Sequence, residues 1–119
     1  MKVRVPVAFP IGDRWIKVKY LVSLAGKDGV DVYGETLVDD LLIKISKTVN
    51  RNEQDLMDTL FHELQHVAFQ MTGHAQTMKE EQEEALAYAL QYQLARLFVF
   101  NPAAGIKFRE VEFPSWDED

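Results

Sequence analysis

The sequence predicts an α+β domain in which a small antiparallel sheet of three strands packs on an antiparallel pair of helices. Three observations predict this fold. Segments with alternating apolar residues fill the first part of the chain, two segments with helical spacing of apolar residues follow, and a capping-box sequence precedes each helical segment. A fourth strand is expected if residues 1–9 also pair.

Three segments alternate apolar and polar residues with the period of two that is typical of strands: residues 15–22, 30–35 and 41–46. Residues 25–29, which include two glycines, and residues 38–40 are the expected turns between them. The apolar segment 1–9 would add an edge strand, whose pairing Pro6 limits because proline has no N–H to donate. The sheet is therefore expected to form from the first part of the chain.

Two helices are expected after the strands. Asn50 and Glu53 have the spacing of a capping box, which predicts that the first helix begins there. Gly73 is placed to end that helix, since glycine tolerates the positive φ of a C-terminal cap. Thr77 and Glu80 form a second capping box that opens the second helix. The loop between the helices is short, so the helices are expected to lie antiparallel.

Composition indicates one compact domain. A chain of 119 residues with 47% hydrophobic content is long enough to bury a core without disulfides. Residues 1–119 are expected to form a single domain, with a C-terminal tail, about residues 102–119, that is partly packed or disordered. The chain has no cysteine, so histidine and carboxylate side chains must carry any metal ion.

Charge and hydropathy argue against two classes of partner. The formal net charge is -6 and the pI is near 5.0, whereas nucleic-acid binding needs clustered lysine and arginine. Residues 94–100 are too few to span a bilayer, and the N-terminal segment lacks the apolar region and cleavage site of a secretory signal. We therefore expect a soluble, cytoplasmic protein that binds neither nucleic acid nor membrane.

The most informative segment is His62-Glu63-Leu64-Gln65-His66, within the first predicted helix. Histidines at i and i+4 project from one side of a helix and can bind the same metal ion. The glutamate after the first histidine can reach a metal-bound water as a general base. Polar pairs with this spacing usually lie on a solvated face of a helix. Here Phe61 and Phe69 border the histidine side of the helix, so that side is expected to be covered by another part of the protein. The spacing therefore predicts a metal site with Glu63 as its catalytic residue.

A catalytic zinc site needs a third protein ligand. His74 does not have the spacing of a three-histidine motif and is expected to be an ordinary loop residue. The second helix offers four glutamates, and their phase relative to its apolar stripe favours Glu83. His66 and Glu83 are each about 9 Å from the connecting turn along their helices, and so are level with each other. Glu83 is the predicted ligand, and Glu84 is the alternative.

The motif and its surroundings resemble the small HExxH metallopeptidases of the ImmA/IrrE-like group, especially the short single-domain versions of phage and prophage genomes. The resemblance rests on residues 58–66, on residues 83–90 and on the strands before the motif helix, and covers roughly residues 14–100. It implies a minimal zincin-like fold with one zinc ion. The positions that match the group's three zinc ligands and its catalytic base are His62, His66, Glu83 and Glu63.

The chain departs from this group at three positions. Gln65 stands where the group often has glycine. Leu86 and Ala87 stand where it often has alanine and then asparagine or aspartate. A polar partner that would orient the ligands is therefore expected to be missing from this part of the second helix.

Two histidines, one carboxylate and an adjacent glutamate predict a zinc-dependent metalloendopeptidase that acts on a protein or peptide substrate. The same donor set also suits manganese or non-haem iron, so zinc is the first expectation among several metals. Two other functions fit the residues. One is a phage-type regulatory or binding protein whose zinc is structural, and the other is a helical interaction domain without metal.

Overall fold

The computed structural model describes residues 1–11, 14–26, 28–71, 79–87 and 105–116. Within these ranges the strands are β1 (Lys2–Ile11), β2 (Arg14–Leu21), β3 (Gly34–Leu37), β4 (Leu42–Ser46) and β5 (Lys107–Glu112). The helices are α1 (Glu53–Met71) and α2, which is described over residues 80–87. A 3-10 turn, Val38–Asp40, joins β3 to β4. No helix within these ranges is both long enough and apolar enough to cross a membrane.

All five described strands belong to one mixed sheet in the order β3-β4-β2-β1-β5. β4 runs parallel to β2, with Lys17 opposite Leu42, and the other neighbouring pairs are antiparallel. The α+β class is confirmed. The prediction of three or four antiparallel strands holds only in part, because the described sheet has five strands and one of its pairings is parallel. The crossover from β2 to β4, residues 22–41, is long enough for parallel pairing, and β3 folds back within it to form the outer strand.

The sequence predicts an edge strand for the N-terminal segment. This prediction is wrong, because β1 lies between β2 and β5. Its pairing with β5 includes Pro6, opposite Phe108, and the register shifts between Pro6 and Ala8. Such an irregularity accommodates a proline that cannot donate to the ladder. β5 comes from the predicted tail, residues 102–119, and Phe113 after it is buried. That part of the tail is therefore packed on the domain.

The second predicted strand, residues 30–35, is largely wrong. β3 begins only at Gly34, and Asp31 instead forms an isolated bridge with Ala25. The other two predicted strands agree with β2 and β4 to within one residue at each end. Alternation of apolar residues located the strands that the core covers, and was less informative for the half-buried outer strand β3.

α1 packs its apolar face against one face of the sheet. The fully buried residues of this interface are Leu56, Leu60 and Val67 from α1, and Ile16, Ile43 and Ile45 from the sheet. Burial of each such side chain contributes about 1.5–3 kcal/mol. Phe61 extends the core, with its ring edge-on to Phe9 and the centroids 5.8 Å apart. This packing fixes the rotation of α1 about its own axis, and therefore which way the side of the helix that carries the histidines faces.

Asn52, not Asn50, caps α1, because the Asp55 N–H donates to Asn52 Oδ1 at 2.8 Å. The prediction of a cap at Asn50 is wrong because that side chain is buried and donates instead to the carbonyl oxygens of Ser46, at the end of β4, and of Tyr33, just before β3. At the start of α2 the Lys79 N–H donates to the Gln82 side chain at 3.0 Å. Three further predicted positions lie outside the described residues: Gly73, His74 and Thr77.

Candidate metal centre

α1 places the two motif histidines on one side, one turn apart. His62 is buried, His66 is half-buried, and their ring centroids are 5.0 Å apart. The two Nε2 atoms are 3.3 Å apart. Two nitrogens bonded at about 2.0–2.1 Å to one tetrahedral zinc ion would lie about 3.3 Å from each other. The histidine pair thus has the spacing that a single ion requires.

Glu84 brings a carboxylate from α2 to the same point. Its Oε1 lies 2.8 Å from His62 Nε2, and its Oε2 lies 3.0 Å from His66 Nε2. The two imidazole nitrogens that face each other therefore also face this carboxylate. The Glu84 side chain is 43% exposed, so the point where the three side chains converge is open to solvent on that side.

Glu83 contacts the other ring nitrogen of His66. Its Oε1 lies 2.7 Å from His66 Nδ1, and Nδ1 is the donor because a carboxylate can only accept. This bond orients the ring with Nε2 toward His62 and Glu84. Burial alone would lower the pKa of His66, but the hydrogen bond with Glu83 and the nearby carboxylates of Glu63 and Glu84 outweigh burial and raise it.

Glu63 lies beside the histidine pair. One ligand atom each from His62, Glu63 and His66 lies within 4.8 Å of the others. The Thr36 hydroxyl of β3 donates to Glu63 Oε1 at 2.6 Å. Burial raises the pKa of Glu63, and the Thr36 hydrogen bond and the two histidines oppose that rise. The carboxylate therefore binds a proton more readily than an exposed one, which suits a general base.

An open cleft of about 600 Å³ lies beside the histidines, between α1 and the segment that leads into β3. Tyr33 and Gly34 line one side, Asp58 and Thr59 of α1 line the other, and the cleft reaches His62, Glu63 and Glu84. β3 is the outermost strand on this side of the described sheet. The cleft therefore extends from the candidate metal centre to the start of this outermost strand.

The structure brings every predicted site residue to one place. These residues are His62, Glu63, His66, Glu83 and the alternative Glu84. Glu80 and Glu81 are exposed, as expected for a solvated first turn. Leu86 and Ala87 both belong to the predicted apolar stripe of the second helix; Ala87 is fully buried, whereas Leu86 is 39% exposed. Sequence reasoning missed Thr36, because a single threonine in a short strand carries no spacing signal.

Comparisons of this chain with known protein families, with curated protein sequences and with solved structures each find no match. The resemblance to the ImmA/IrrE-like group therefore rests on the motif residues, and it stays a prediction. A functional proposal for this chain therefore depends on the chemistry of the described side chains.

Proposed function

We propose that this chain is a zinc-dependent metallopeptidase in which His62, His66 and Glu84 bind one zinc ion. Glu63 is the general base. The observation that carries this proposal is the convergence of two imidazole nitrogens, 3.3 Å apart, and one carboxylate on a single point beside a buried glutamate. Three protein ligands with one side open to solvent are typical of catalytic rather than structural zinc sites.

Glu84 is the better third ligand of the two predicted candidates. The Nε2 atoms of both histidines face its carboxylate, whereas Glu83 contacts the opposite nitrogen of His66. A carboxylate on the distal nitrogen of a metal-binding histidine fixes the tautomer and raises the basicity of the ligand. We assign that supporting role to Glu83. It would supply a polar partner of the kind that the sequence predicted to be missing.

When bound, the zinc ion supplies a Lewis acid that polarises a substrate carbonyl and makes water more acidic. The chain's own residues move the protons and hold the geometry. Glu63 takes a proton from water with the carboxylate oxygen that Thr36 leaves free, and passes it to the amine of the cleaved peptide. Glu83 keeps the proton of His66 on Nδ1, so that Nε2 retains its lone pair for binding.

A peptide is the substrate that best fits the cleft beside β3. An extended peptide can pair with the main chain of an outermost strand, and such pairing needs no particular side chains. A cleft of about 600 Å³ has room for a few residues around the cleaved bond. We therefore expect an endopeptidase that recognises the main chain of its substrate.

Glu63→Gln tests this proposal most directly. The amide cannot accept the proton, but the three proposed ligands are unchanged. We therefore expect zinc to be retained and hydrolysis of an unfolded protein or fluorogenic peptide to fall by about 10²- to 10⁴-fold. His62→Ala is the control, since it removes a ligand and should lose both zinc and activity. Elemental analysis and initial rates measure the two effects.

Three results would contradict the proposal. A fully active Glu63→Gln variant would exclude Glu63 as the base. Zinc binding by the wild type without turnover of any protein substrate would instead support a zinc-stabilised regulatory or binding protein. Protein that is purified without chelator, holds no metal and shows no thermal shift with zinc would support a metal-free interaction domain.

A further inference from the structure

The general base is held by a residue from another element. A glutamate side chain rotates about three bonds, so its carboxylate must be fixed before it can act at one point. Glu63 Oε1 accepts a hydrogen bond from the Thr36 hydroxyl at 2.6 Å, and the same hydroxyl lies 3.2 Å from the Glu63 carbonyl oxygen. Glu63 is therefore tied to β3 as well as to its own helix.

β3 can reach Glu63 because Gly34 has no side chain. A Cβ atom at Gly34 would lie 2.9 Å from Thr59 Cγ2 and 3.1 Å from Glu63 Cγ, closer than the roughly 3.5–4.0 Å at which carbon atoms pack. Gly34 thus permits β3 to approach α1 two residues before Thr36. The close approach puts the Thr36 hydroxyl within hydrogen-bond distance of the base.

Asn50 holds the two elements at this distance. Its side chain is fully buried, and Nδ2 donates to Ser46 O at 2.7 Å and to Tyr33 O at 3.1 Å. Its Oδ1 accepts from Thr59 Oγ1 at 2.7 Å. Asn50 thereby links the last residue of β4, the residue before β3, and α1. Displacing it would remove three hydrogen bonds made by a fully buried side chain, which is costly.

We propose that Thr36 is a positioning residue for the general base: its hydroxyl holds one carboxylate oxygen of Glu63 and leaves the other to take the proton. This inference rests on the proposed function, since a base needs a fixed direction only if it reacts. The role belongs to Thr36 and not to the neighbouring Thr59, because the Thr59 hydroxyl is bonded to Asn50.

Thr36→Val and Thr36→Ser test this role together. Valine keeps the branched shape but removes the donor, whereas serine keeps the donor. Because a misdirected base slows the chemical step, we expect Thr36→Val to lower kcat about 10- to 100-fold with KM and zinc content unchanged. Thr36→Ser should restore kcat to within about 3-fold of the wild type.

Thr48→Val is the matched control. The Thr48 hydroxyl donates to Val22 O at 2.8 Å, outside the cleft. The variant therefore loses the same chemical group without changing any contact of Glu63. Its kcat should equal that of the wild type.

A measurement on metal-free protein tests the contact itself. Thr36→Val should lower the melting temperature, and the shift should be smaller in a Glu63→Ala background, where the hydroxyl has already lost its carboxylate partner. Equal shifts in both backgrounds, or an unchanged kcat in Thr36→Val, would overturn the positioning role while the proposed function stands. A wild-type protein that cleaves no peptide would overturn the proposed function, and the positioning role with it.

Discussion

Two groups of elements, here called walls, meet at the candidate metal centre, and they differ in what holds them in place. The first wall is α1 with β3 and β4, which has a buried apolar core behind it and the Asn50 links within it. The second wall is α2, where Ala87 is the one buried residue among the described residues 80–87. Glu83 and Glu84 connect it to the histidines. Packing and hydrogen bonds from neutral donors place the proposed base, whereas contacts between carboxylates and imidazoles place the proposed third ligand.

The two walls should therefore respond to different conditions. Apolar packing and hydrogen bonds between neutral groups depend little on pH or on metal. The contacts between glutamates and histidines depend on the charge of the imidazoles, and a metal ion would compete for the same Nε2 atoms. Metal binding and protonation should therefore act mainly on the second wall.

Loss of a ligand from the second wall should have the largest effect. Glu84→Gln replaces the proposed carboxylate ligand with a neutral amide, so zinc affinity should fall by more than about 100-fold, beyond the usual cost of losing a supporting residue. Glu83→Gln removes only the support of His66, for which a loss of about 10- to 100-fold is typical. Competition with a fluorescent zinc chelator measures both affinities.

Glu81→Gln is the control for this comparison, because Glu81 is exposed on the same helix and its substitution changes the net charge equally. Its zinc affinity should equal that of the wild type. If Glu83→Gln lost more affinity than Glu84→Gln, the assignment would be reversed, and Glu83 would be the ligand, as the sequence predicts.

Loss of the Asn50 links should have the next largest effect, on the first wall. Asn50→Ala leaves Ser46 O, Tyr33 O and the Thr59 hydroxyl without this partner, so the free energy of unfolding should fall by about 2–4 kcal/mol. Asn52→Ala removes the cap of α1 and should cost only about 1 kcal/mol. Urea denaturation with a chelator present measures both. Equal losses would mean that Asn50 contributes no more than a helix cap.

The two walls were also unequally predictable from the sequence. The spacing of His62, Glu63 and His66 located the first-wall site residues, because the geometry of a single helix relates them. The choice of third ligand depends on how α2 is rotated about its axis. Leu86 and Ala87 are adjacent apolar residues, and tertiary packing decides that Ala87 is the buried one. The local sequence pattern does not show which of these two residues is buried.

Pairing between distant segments was the least predictable feature. Alternation of apolar residues located β2 and β4, but a period of two does not say which strands are neighbours or in which direction they run. The contact between Thr36 and Glu63 joins residues 27 positions apart, and it exists because β3 is the outer strand beside α1. Such a contact follows from topology, so motif spacing could not have found it.

The change of stability with pH should be the smallest of the predicted effects, and it should come mainly from the second wall. Burial lowers the pKa of His66, but its hydrogen bond with Glu83 and the nearby carboxylates raise it above the usual value of 6.5 in the metal-free protein. The folded state then holds this proton more tightly than the unfolded state does. The resulting stabilisation is complete below about pH 6.5 and is lost as the pH rises through the raised pKa.

With a chelator present, the free energy of unfolding should fall as the pH rises above about 6.5, by at most about 1.4 kcal/mol per pH unit for one proton. Glu63, whose pKa burial raises above 4.5, adds a fall of the same sign in every variant. Glu83→Gln should make the free energy of unfolding depend less steeply on pH. Asn50→Ala should lower the free energy of unfolding but leave its slope against pH unchanged. Added zinc should reverse the slope, because it binds deprotonated imidazole. An unchanged slope in Glu83→Gln would mean that charge does not hold the second wall.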